Sequence, residues 1–402
     1  MRLKLKYITR TVWTLSLVSL LTDTASEMLY PVMPLYLKSI GFSIVLIGIL
    51  EGIAEATAGL SKGYFGKLSD QTQRRMPFVQ WGYMLSAVSK PLMALFIAPV
   101  WIFLVRTIDR LGKGLRTGAR DAVLSDEATP QTKGQVFGFH RSMDTLGAVL
   151  GPLVALIYLQ IHPEDYRTLF IIALAPGLLA VACSLLLKDK KVIQKPLKTT
   201  TGFFSFLGYW KISSPSYRKL VIGLLMFTLF NSSDVFLLLQ AKQSGLSDSN
   251  VLTVYIFYNL VYAAVAFPIG MLADKMGLKK IFISGLFLFA IVYGGMAYAN
   301  QSYMFYILFL FYGIYAAATE GISKAWITNI STKAATATAI GTYSAFQSIC
   351  TMIASSLAGF IWYQYGSQAM FLFSAIMVIF VAIFFLLLPA EKTAVGFPAD
   401  LR

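Results

Sequence analysis

Gly66-Lys67-Leu68-Ser69-Asp70 recurs 204 residues later as Gly270-Met271-Leu272-Ala273-Asp274, an offset of almost half the 402-residue chain. Each copy of this Gly-x-Leu-x-Asp motif ends an apolar stretch and precedes a basic pair, Arg74-Arg75 in the first half and Lys279-Lys280 in the second. A half-length repeat in a hydrophobic sequence is typical of membrane proteins built from two equivalent helical bundles. The motif therefore predicts two related halves that face each other.

The composition is that of an integral membrane protein. Hydrophobic residues make up 57% of the chain, charged residues only 13%, and the mean hydropathy is +0.67. Soluble domains usually carry about 25% charged residues. Twelve apolar stretches are long enough to cross about 30 Å of hydrocarbon as helices. They lie at residues 11–37, 44–63, 77–97, 100–121, 134–160, 168–187, 218–240, 249–272, 280–298, 303–326, 337–364 and 367–389. We therefore predict an all-α integral membrane fold with twelve transmembrane helices in two pseudo-symmetric six-helix bundles.

One break in the apolar pattern divides the chain. Between residues 188 and 217, lysines, a proline and three consecutive threonines replace the apolar residues. This pattern predicts an N-terminal bundle over 1–187, a cytoplasmic linker over 188–217 and a C-terminal bundle over 218–402. The linker is either a solvated tether or a segment whose basic residues rest on anionic lipid headgroups.

The net charge of +15 is distributed unevenly along the chain. Basic residues concentrate at the N-terminus and in alternate loops, to which we assign Arg74, Arg75, Lys113, Arg116, Arg120, Lys133, Lys275 and the linker lysines. The other loops hold only Lys38, Arg167 and Lys242. This is the positive-inside bias, which predicts a multi-pass protein of the bacterial inner (plasma) membrane with both termini in the cytoplasm. The charge thus indicates the lipid bilayer, rather than nucleic acid, as the partner.

The repeat extends beyond the opening motif. Ala25-Ser26-Glu27 in the first apolar stretch matches Ser232-Ser233-Asp234 in the seventh, with an acid after two small residues in both. Gly41-Phe42-Ser43 likewise matches Gly245-Leu246-Ser247. These matches predict that the two acids occupy equivalent places in the two halves.

Charged residues within the apolar stretches are the main functional candidates. Each costs about 2.5–3.5 kcal/mol on insertion scales, so such residues usually face a cavity and act there. The second half keeps chiefly Asp234, Glu320 and Lys324. The first half supplies the set that we predict to couple transport to protons: Asp23, Glu27, Glu51, Glu55, Arg106, Asp109, Arg110, His140 and Asp144. Alternatively, these residues form fixed ion pairs that hold the helices together.

His140 has three alternative roles. With Asp144 one helical turn away, it is a candidate protonation switch, because imidazole titrates near neutral pH. It equally suits a hydrogen bond to a backbone carbonyl of a neighbouring helix. As a third alternative, it joins Asp144, Asp23 and Glu27 around a divalent metal ion, although the spacing does not select this arrangement. Cys183 and Cys350 both lie in apolar stretches, so we predict neither a disulfide nor a zinc site.

The Gly-x-Leu-x-Asp motif resembles the loop between the second and third helices of the major facilitator superfamily, and its counterpart between the eighth and ninth. The resemblance covers about residues 10–390. In that superfamily the first copy forms a cytoplasmic latch that holds the outward-open state. The resemblance therefore implies gating roles for Gly66, Asp70, Arg74 and Arg75, and by repetition for Asp274. Gln71 and Gln73 replace the Arg and Gly of the usual Asp-Arg-x-Gly-Arg-Arg.

Two further motifs carry the resemblance. Gly147-x-x-x-Gly151-Pro152 resembles the antiporter motif of drug-exporting members; its small residues permit close helix packing and its proline bends the helix. The stretch from Arg106 to Gly114 resembles the fourth-helix Arg motif that is implicated in proton coupling. Gly112-Lys113-Gly114 lacks the spacing of a phosphate-binding loop, and no nucleophile–base pair is evident, so we predict no enzymatic activity.

These patterns together predict a secondary active transporter that works by alternating access. We favour proton-coupled efflux of a small organic compound by a monomer without cofactors; the alternative cargo is a metal ion or a siderophore-like metal chelate. A receptor that transports nothing is a third hypothesis, and the intramembrane acids argue against it. We predict a substrate cavity lined by Asp234, Tyr258, Glu320, Tyr343 and Phe346, whose aromatic rings suit apolar or cationic groups.

Overall fold

The computed structural model describes residues 7–30, 32–189 and 202–388, and within these ranges the chain is helical, without a strand. The first half contains α1 Arg10–Glu27, α2 Met33–Ser39, α3 Ile44–Thr72, α4 Met76–Met93, α5 Pro99–Asp126, α6 Lys133–Ile161, α7 Tyr166–Ile172 and α8 Leu174–Leu185. The second contains α9 Tyr209–Ile212, α10 Pro215–Phe230, α11 Val235–Gln243, α12 Asp248–Met276, α13 Leu278–Met296, α14 Ser302–Ile330 and α15 Thr336–Leu387. Residues 190–201 of the predicted linker lie outside the described ranges.

Seven helical segments are long and apolar enough to cross a membrane within the described ranges. They are Lys133–Ile161, Tyr166–Leu185, Pro215–Gln243, Asn250–Met276, Leu278–Met296, Ser302–Ile330 and Lys333–Leu387. The last one bends at Gly366, whose φ of 87° is not helical, so two helices meet there. Helices α1, α3, α4 and α5 fall outside this group. Most of the charged residues of the first half lie on α1, α3 and α5.

Three of the predicted continuous spans are interrupted. The chain leaves the helix between α1 and α2, at Ala173 between α7 and α8, and at residues 231–234 between α10 and α11. Pro176 cannot donate a backbone hydrogen bond to the carbonyl four residues earlier, which accounts for the break near Ala173. At the third break, Asn, Ser and Asp side chains compete for backbone hydrogen bonds. The predicted spans 168–187 and 218–240 nevertheless each lie within one segment that is long and apolar enough to cross a membrane, Tyr166–Leu185 and Pro215–Gln243, and the predicted span 11–37 contains both α1 and α2.

The repeat is visible in the backbone. Gly41 and Gly245 both have positive φ, 93° and 95°, a conformation that glycine adopts without strain. Two residues later, the Oγ atoms of Ser43 and Ser247 each accept a hydrogen bond of 3.2 Å from a backbone N–H in the first turn of the next helix. The two sequence matches thus build the same turn and N-cap, before α3 and before α12.

The two halves meet mainly along two helix pairs, α6 with α12 and α3 with α15, and α14 also contacts α6 and α5. The contact lies towards the end of the bundle that carries Asp70 and Asp274, which we call the latch end. A Cβ atom on Gly341 would lie 3.2 Å from the Cα of Gly63, so α3 and α15 touch backbone to backbone there. Farther along α3, a Cβ atom on Gly59 would lie 2.5 Å from the side chain of Ser348 of α15, whereas one on Gly52, two turns earlier, would meet no atom within 4 Å, so the two helices diverge away from the latch end.

Candidate functional site

The two Gly-x-Leu-x-Asp motifs form matching contacts at the latch end. Asp70, at the end of α3, accepts hydrogen bonds from the backbone N–H groups of Ala337 and Thr338, at 3.3 and 2.6 Å. The carboxylate lies at the start of α15, where helix N–H groups lack partners and the helix dipole favours negative charge. We call this contact the first latch.

Asp274, at the end of α12, makes the equivalent contact with the start of α6. Its two oxygens accept from the N–H groups of Gly134 and Gln135, at 2.7 and 2.8 Å. We call this contact the second latch. In each latch an acid of one half caps a helix of the other, so both join the two halves.

The first latch has more partners than the second. Asp70 also accepts from the Thr338 hydroxyl at 2.7 Å and from the Arg75 guanidinium at 3.1 Å, and it is only 3% exposed. Arg75 reaches onward to Asp126 at 3.3 Å, whereas Arg74 is exposed. Gln73, which replaces the usual glycine, ends α3 with a φ of 54° and bonds the Asp70 carbonyl through its side chain at 2.6 Å. The substitution therefore leaves the turn intact.

Gly66 is positioned by close packing at the same end. A Cβ atom there would lie 3.5 Å from the Cα of Gly341 and closer still to the Ala337 carbonyl. Any larger residue would push α3 away from α15 and lengthen the bonds of the first latch.

A polar network joins the halves deeper in the bundle. Arg141 on α6 donates to Asp144 at 2.7 Å within its own half, and to the Tyr262 hydroxyl at 2.6 Å and Glu320 in the other half. Lys324, one turn after Glu320 on α14, pairs with the fully buried Asp121 of α5 at 2.8 Å. Two ion pairs therefore join the halves: in one the first half supplies the cation, and in the other the second half does.

Asp144 is the centre of this network within the first half. Its carboxyl group accepts from the Ser19 hydroxyl of α1 at 2.5 Å, and a Cβ atom on Gly147, one turn farther along α6, would lie 3.0 Å from the Cβ of Asp23. Arg120 of α5 donates to Ser19 at 3.3 Å and pairs with Asp121 at 2.9 Å. The predicted residues Asp23 and Asp144 are thus brought close together, on α1 and α6.

Other predicted coupling residues form a separate ion cluster among α3, α4 and α5. Arg106 makes a two-point contact with Glu51, at 3.0 and 2.9 Å. Asp109 lies 3.4 to 3.6 Å from the cationic groups of Lys90, Arg106 and Arg110. One carboxylate held by three cations is the arrangement expected of the structural alternative, fixed ion pairs between helices.

Glu27 and Glu55 differ from that cluster. Glu27 ends α1 at its break, and Glu55 is exposed on the part of α3 that has diverged from α15. Among the described residues, no base lies within 4.0 Å of either carboxylate.

His140 is buried against α1. Its Nδ1 lies 3.4 Å from the Ser16 hydroxyl, and its Nε2 has no hydrogen-bond partner among the described residues. The alternative of a backbone carbonyl partner is replaced by this hydroxyl contact. Across residues 7–30, 32–189 and 202–388, no three His, Cys, Asp or Glu side chains are placed to hold one metal ion, so the metal alternative lacks support there.

In the second half, Asp234 lies at the break between α10 and α11 within a cluster of tyrosines. The hydroxyl groups of Tyr312 and Tyr258 donate to its two oxygens at 2.6 and 3.3 Å. Tyr343, by contrast, is 5% exposed within the apolar core of this half, and Phe346 packs against Trp210 at a ring distance of 5.8 Å. Tyr258 and Asp234 thus lie together, while Tyr343 and Phe346 lie apart from them.

The Gly147 and Gly151 pair packs α6 against α1. Cβ atoms at these positions would lie 2.5 Å from the Leu20 carbonyl and 2.6 Å from the Thr24 carbonyl, and Pro152 follows inside α6. The motif therefore holds the helix that bears Asp144 close to the helix that bears Asp23.

Several site residues were missed or misassigned from the sequence. Lys113, Arg116 and Arg120 lie on α5 rather than in a loop, and Arg116 and Arg120 are buried. The prediction was wrong because the end of α5 is polar enough to look like a loop. Asp121 was not predicted, although an acid directly after Arg120 in this basic stretch was the available signal.

These features define a helical membrane protein with two latched, repeated halves and buried charge between them, the class of the secondary transporters. The family model of the Major Facilitator Superfamily matches residues 15–259 and 220–401, and the chain belongs to this family of membrane transporters.

Three comparisons illustrate the membership. An uncharacterized MFS-type transporter of Methanocaldococcus jannaschii is 30% identical over 92% of this chain and 93% of its own. The quinolone resistance protein NorA of Staphylococcus aureus is 25% identical over 44% of this chain and 43% of its own. The crystal structure of the human organic anion transporter MFSD10 has the same fold, with a TM-score of 0.81 at 16% identity over 94% of this chain and 99% of that one.

Proposed function

We propose that the protein exports a small organic compound in exchange for protons, by alternating access between two six-helix bundles with twelve spans in total. The twelve-span count rests on the seven apolar segments, the bend at Gly366 and the four charged helices of the first half. The bundles are residues 1–187 and 218–402, joined by the linker.

The distribution of charge supports the orientation. Lys67, Arg74, Arg75 and Lys275 lie at the latch end, and the positive-inside rule assigns that end to the cytoplasm of a plasma membrane. With both latches formed and the halves diverging at the other end, the described conformation then corresponds to an outward-open state.

The proposal of proton coupling rests on the position of Arg141. It bonds Asp144 in one half and both Glu320 and Tyr262 in the other. A proton arriving at the Asp23–Asp144 pair removes negative charge beside the guanidinium, which strengthens the hold of Arg141 on Glu320 relative to Asp144. Proton occupancy thereby changes the contact between the halves, which is the requirement for coupling.

The substrate class is supported by Asp234 and its tyrosines. A carboxylate flanked by aromatic rings suits a basic or cationic group, which gains charge attraction and cation–π contact together. Asp234 lies at a helix break, the feature around which transporters commonly build substrate sites. The relative NorA is named for quinolone resistance, which accords with export.

The test is transport of amine-bearing dyes into proteoliposomes with and without an imposed pH gradient. Asp144→Asn should abolish gradient-driven transport yet retain exchange of labelled for unlabelled dye, since exchange needs no net proton movement. Glu51→Gln is the matched control, because its carboxylate is already committed to Arg106, and it should keep gradient-driven transport. Full gradient-driven transport by Asp144→Asn would refute the coupling assignment.

A further inference from the structure

A segment of the predicted linker lies across the contact between the two halves. Residues 203–212, which we call the strap, form a 3-10 turn, Phe203–Gly208, and then α9, Tyr209–Ile212. The strap contacts both α3 of the first half and α15 of the second. It therefore bridges the same helix pair that the first latch joins.

Three contacts fasten the strap to α3. The ring of Phe206 is fully buried and fills the space that a side chain at Gly63 would need, since a Cβ there would lie 2.6 Å from the ring. Phe203 stacks on Tyr64 with ring centroids 5.2 Å apart, and the Lys67 ammonium donates to the Ser205 carbonyl at 2.9 Å.

The other contacts fasten the strap to the second half. The Thr342 hydroxyl of α15 donates to the Phe206 carbonyl at 3.4 Å, and Trp210 packs against Phe346. Tyr209 packs against Tyr217 of α10 at 5.1 Å, and α10 follows the strap directly in the chain. The strap must therefore travel with the second half when α3 and α15 separate.

We propose that the strap acts as a lock that keeps the latch end closed, through the packing of the Phe206 ring against Gly63 of α3. The latch end opens only when Phe206 leaves α3, which exposes an apolar ring and a bare helix surface. This lock rests on the proposed alternating access, and it adds a device that neither Gly-x-Leu-x-Asp motif contains. Anything that lifts the strap from α3 would favour the inward-open state.

The test measures opening directly, without transport. Spin labels at Arg74→Cys and Ala334→Cys, both exposed and on opposite halves, report the width of the latch end by double electron–electron resonance in lipid nanodiscs. The background carries Cys183→Ser and Cys350→Ser, which removes the two native thiols. Phe206→Ala should raise the ratio of open to closed molecules about tenfold or more.

Phe204→Ala is the matched control, because Phe204 belongs to the same turn but is 58% exposed, and it should leave the ratio unchanged. Thr342→Val, which keeps the side-chain shape and removes one hydrogen bond, should raise the ratio about threefold and serves if Phe206→Ala fails to fold. Equal ratios in Phe206→Ala or Thr342→Val and in the control would overturn the lock.

A second measurement separates the lock from the proposed function. Bridging Lys67→Cys to Ser205→Cys with a short bismaleimide should hold the latch end closed even when Asp70→Asn is also present. Opening of the bridged protein would overturn the lock alone. A latch end that stays closed in the unbridged Asp70→Asn protein and also in Phe206→Ala would instead contradict alternating access, and the lock with it.

Discussion

Replacing Asp70 by Asn and, separately, Asp274 by Asn should open the latch end to different extents. Asp70 has four hydrogen-bond donors around it, of which one is a guanidinium, whereas Asp274 has two backbone donors. Asn retains one acceptor oxygen, loses the charge and presents an amide N–H₂ group to donors. The first substitution therefore removes about two charge-assisted hydrogen bonds, and the second removes about one.

Each such bond is worth about 1.5–3 kcal/mol. Taking the low end, Asp70→Asn should cost the closed state about 3 kcal/mol and Asp274→Asn about 1.5 kcal/mol. At about 1.4 kcal/mol per factor of ten, the open-to-closed ratio rises about 150-fold in the first variant and about tenfold in the second. Because the latches lie on different helix pairs, their effects should add in the double variant.

The spin-label pair at Arg74→Cys and Ala334→Cys measures these ratios, and Asp165→Asn, in a loop away from the latches, is the control. The reasoning fails if Asp274→Asn opens the protein as much as Asp70→Asn does. It fails equally if neither variant changes the distance distribution, because the two capping contacts would then contribute nothing to closure.

Two further predictions concern packing and substrate. Gly147→Ala should lower the free energy of unfolding by about 1–3 kcal/mol, because the added Cβ has no room against α1. Gly294→Ala, where the added Cβ would meet no atom within 4 Å, should instead raise the free energy of unfolding by about 0.5–1 kcal/mol. Equal shifts of the thermal unfolding temperature in the two variants would contradict this prediction. Tyr312→Phe should raise the KM for an amine-bearing dye about fivefold by removing a hydrogen bond to the acid, whereas Tyr343→Phe, in the apolar core, should change stability and leave KM alone.

More of the fold than of the candidate site could be predicted from the sequence. The half-length repeat located both latch acids, because Asp70 and Asp274 follow the same local pattern at the end of a helix. It could not locate Ala337, Thr338, Gly134 or Gln135, since helix N-termini that offer only backbone N–H groups leave no side-chain signal. Their partnership becomes evident only when the halves are packed together.

Charge pairing was equally hidden from the sequence. Within the first half, spacing of three or four residues groups charges on one helix face, yet Arg106 pairs with Glu51 of α3 and Asp121 pairs with Lys324 of α14, both on other helices. The misassignment of Arg116 and Arg120 has the same origin. A helix that is polar over its last turns is indistinguishable from a basic loop until other helices are seen to bury it.

Helix α6 connects the two parts of the proposed mechanism. Gly134, at its start, belongs to the second latch, and Asp144 lies ten residues later, about 15 Å along the same helix. A helix of this length moves as a rigid body, so a shift of α6 caused by a proton at the Asp23–Asp144 pair acts on the second latch directly. The first latch lies on α3, where Glu51 is committed to Arg106. The second latch, which has fewer hydrogen bonds, is therefore the one that α6 joins to the Asp23–Asp144 pair, as a gate that responds to protons requires. The first latch and the strap set the stability of the closed resting state.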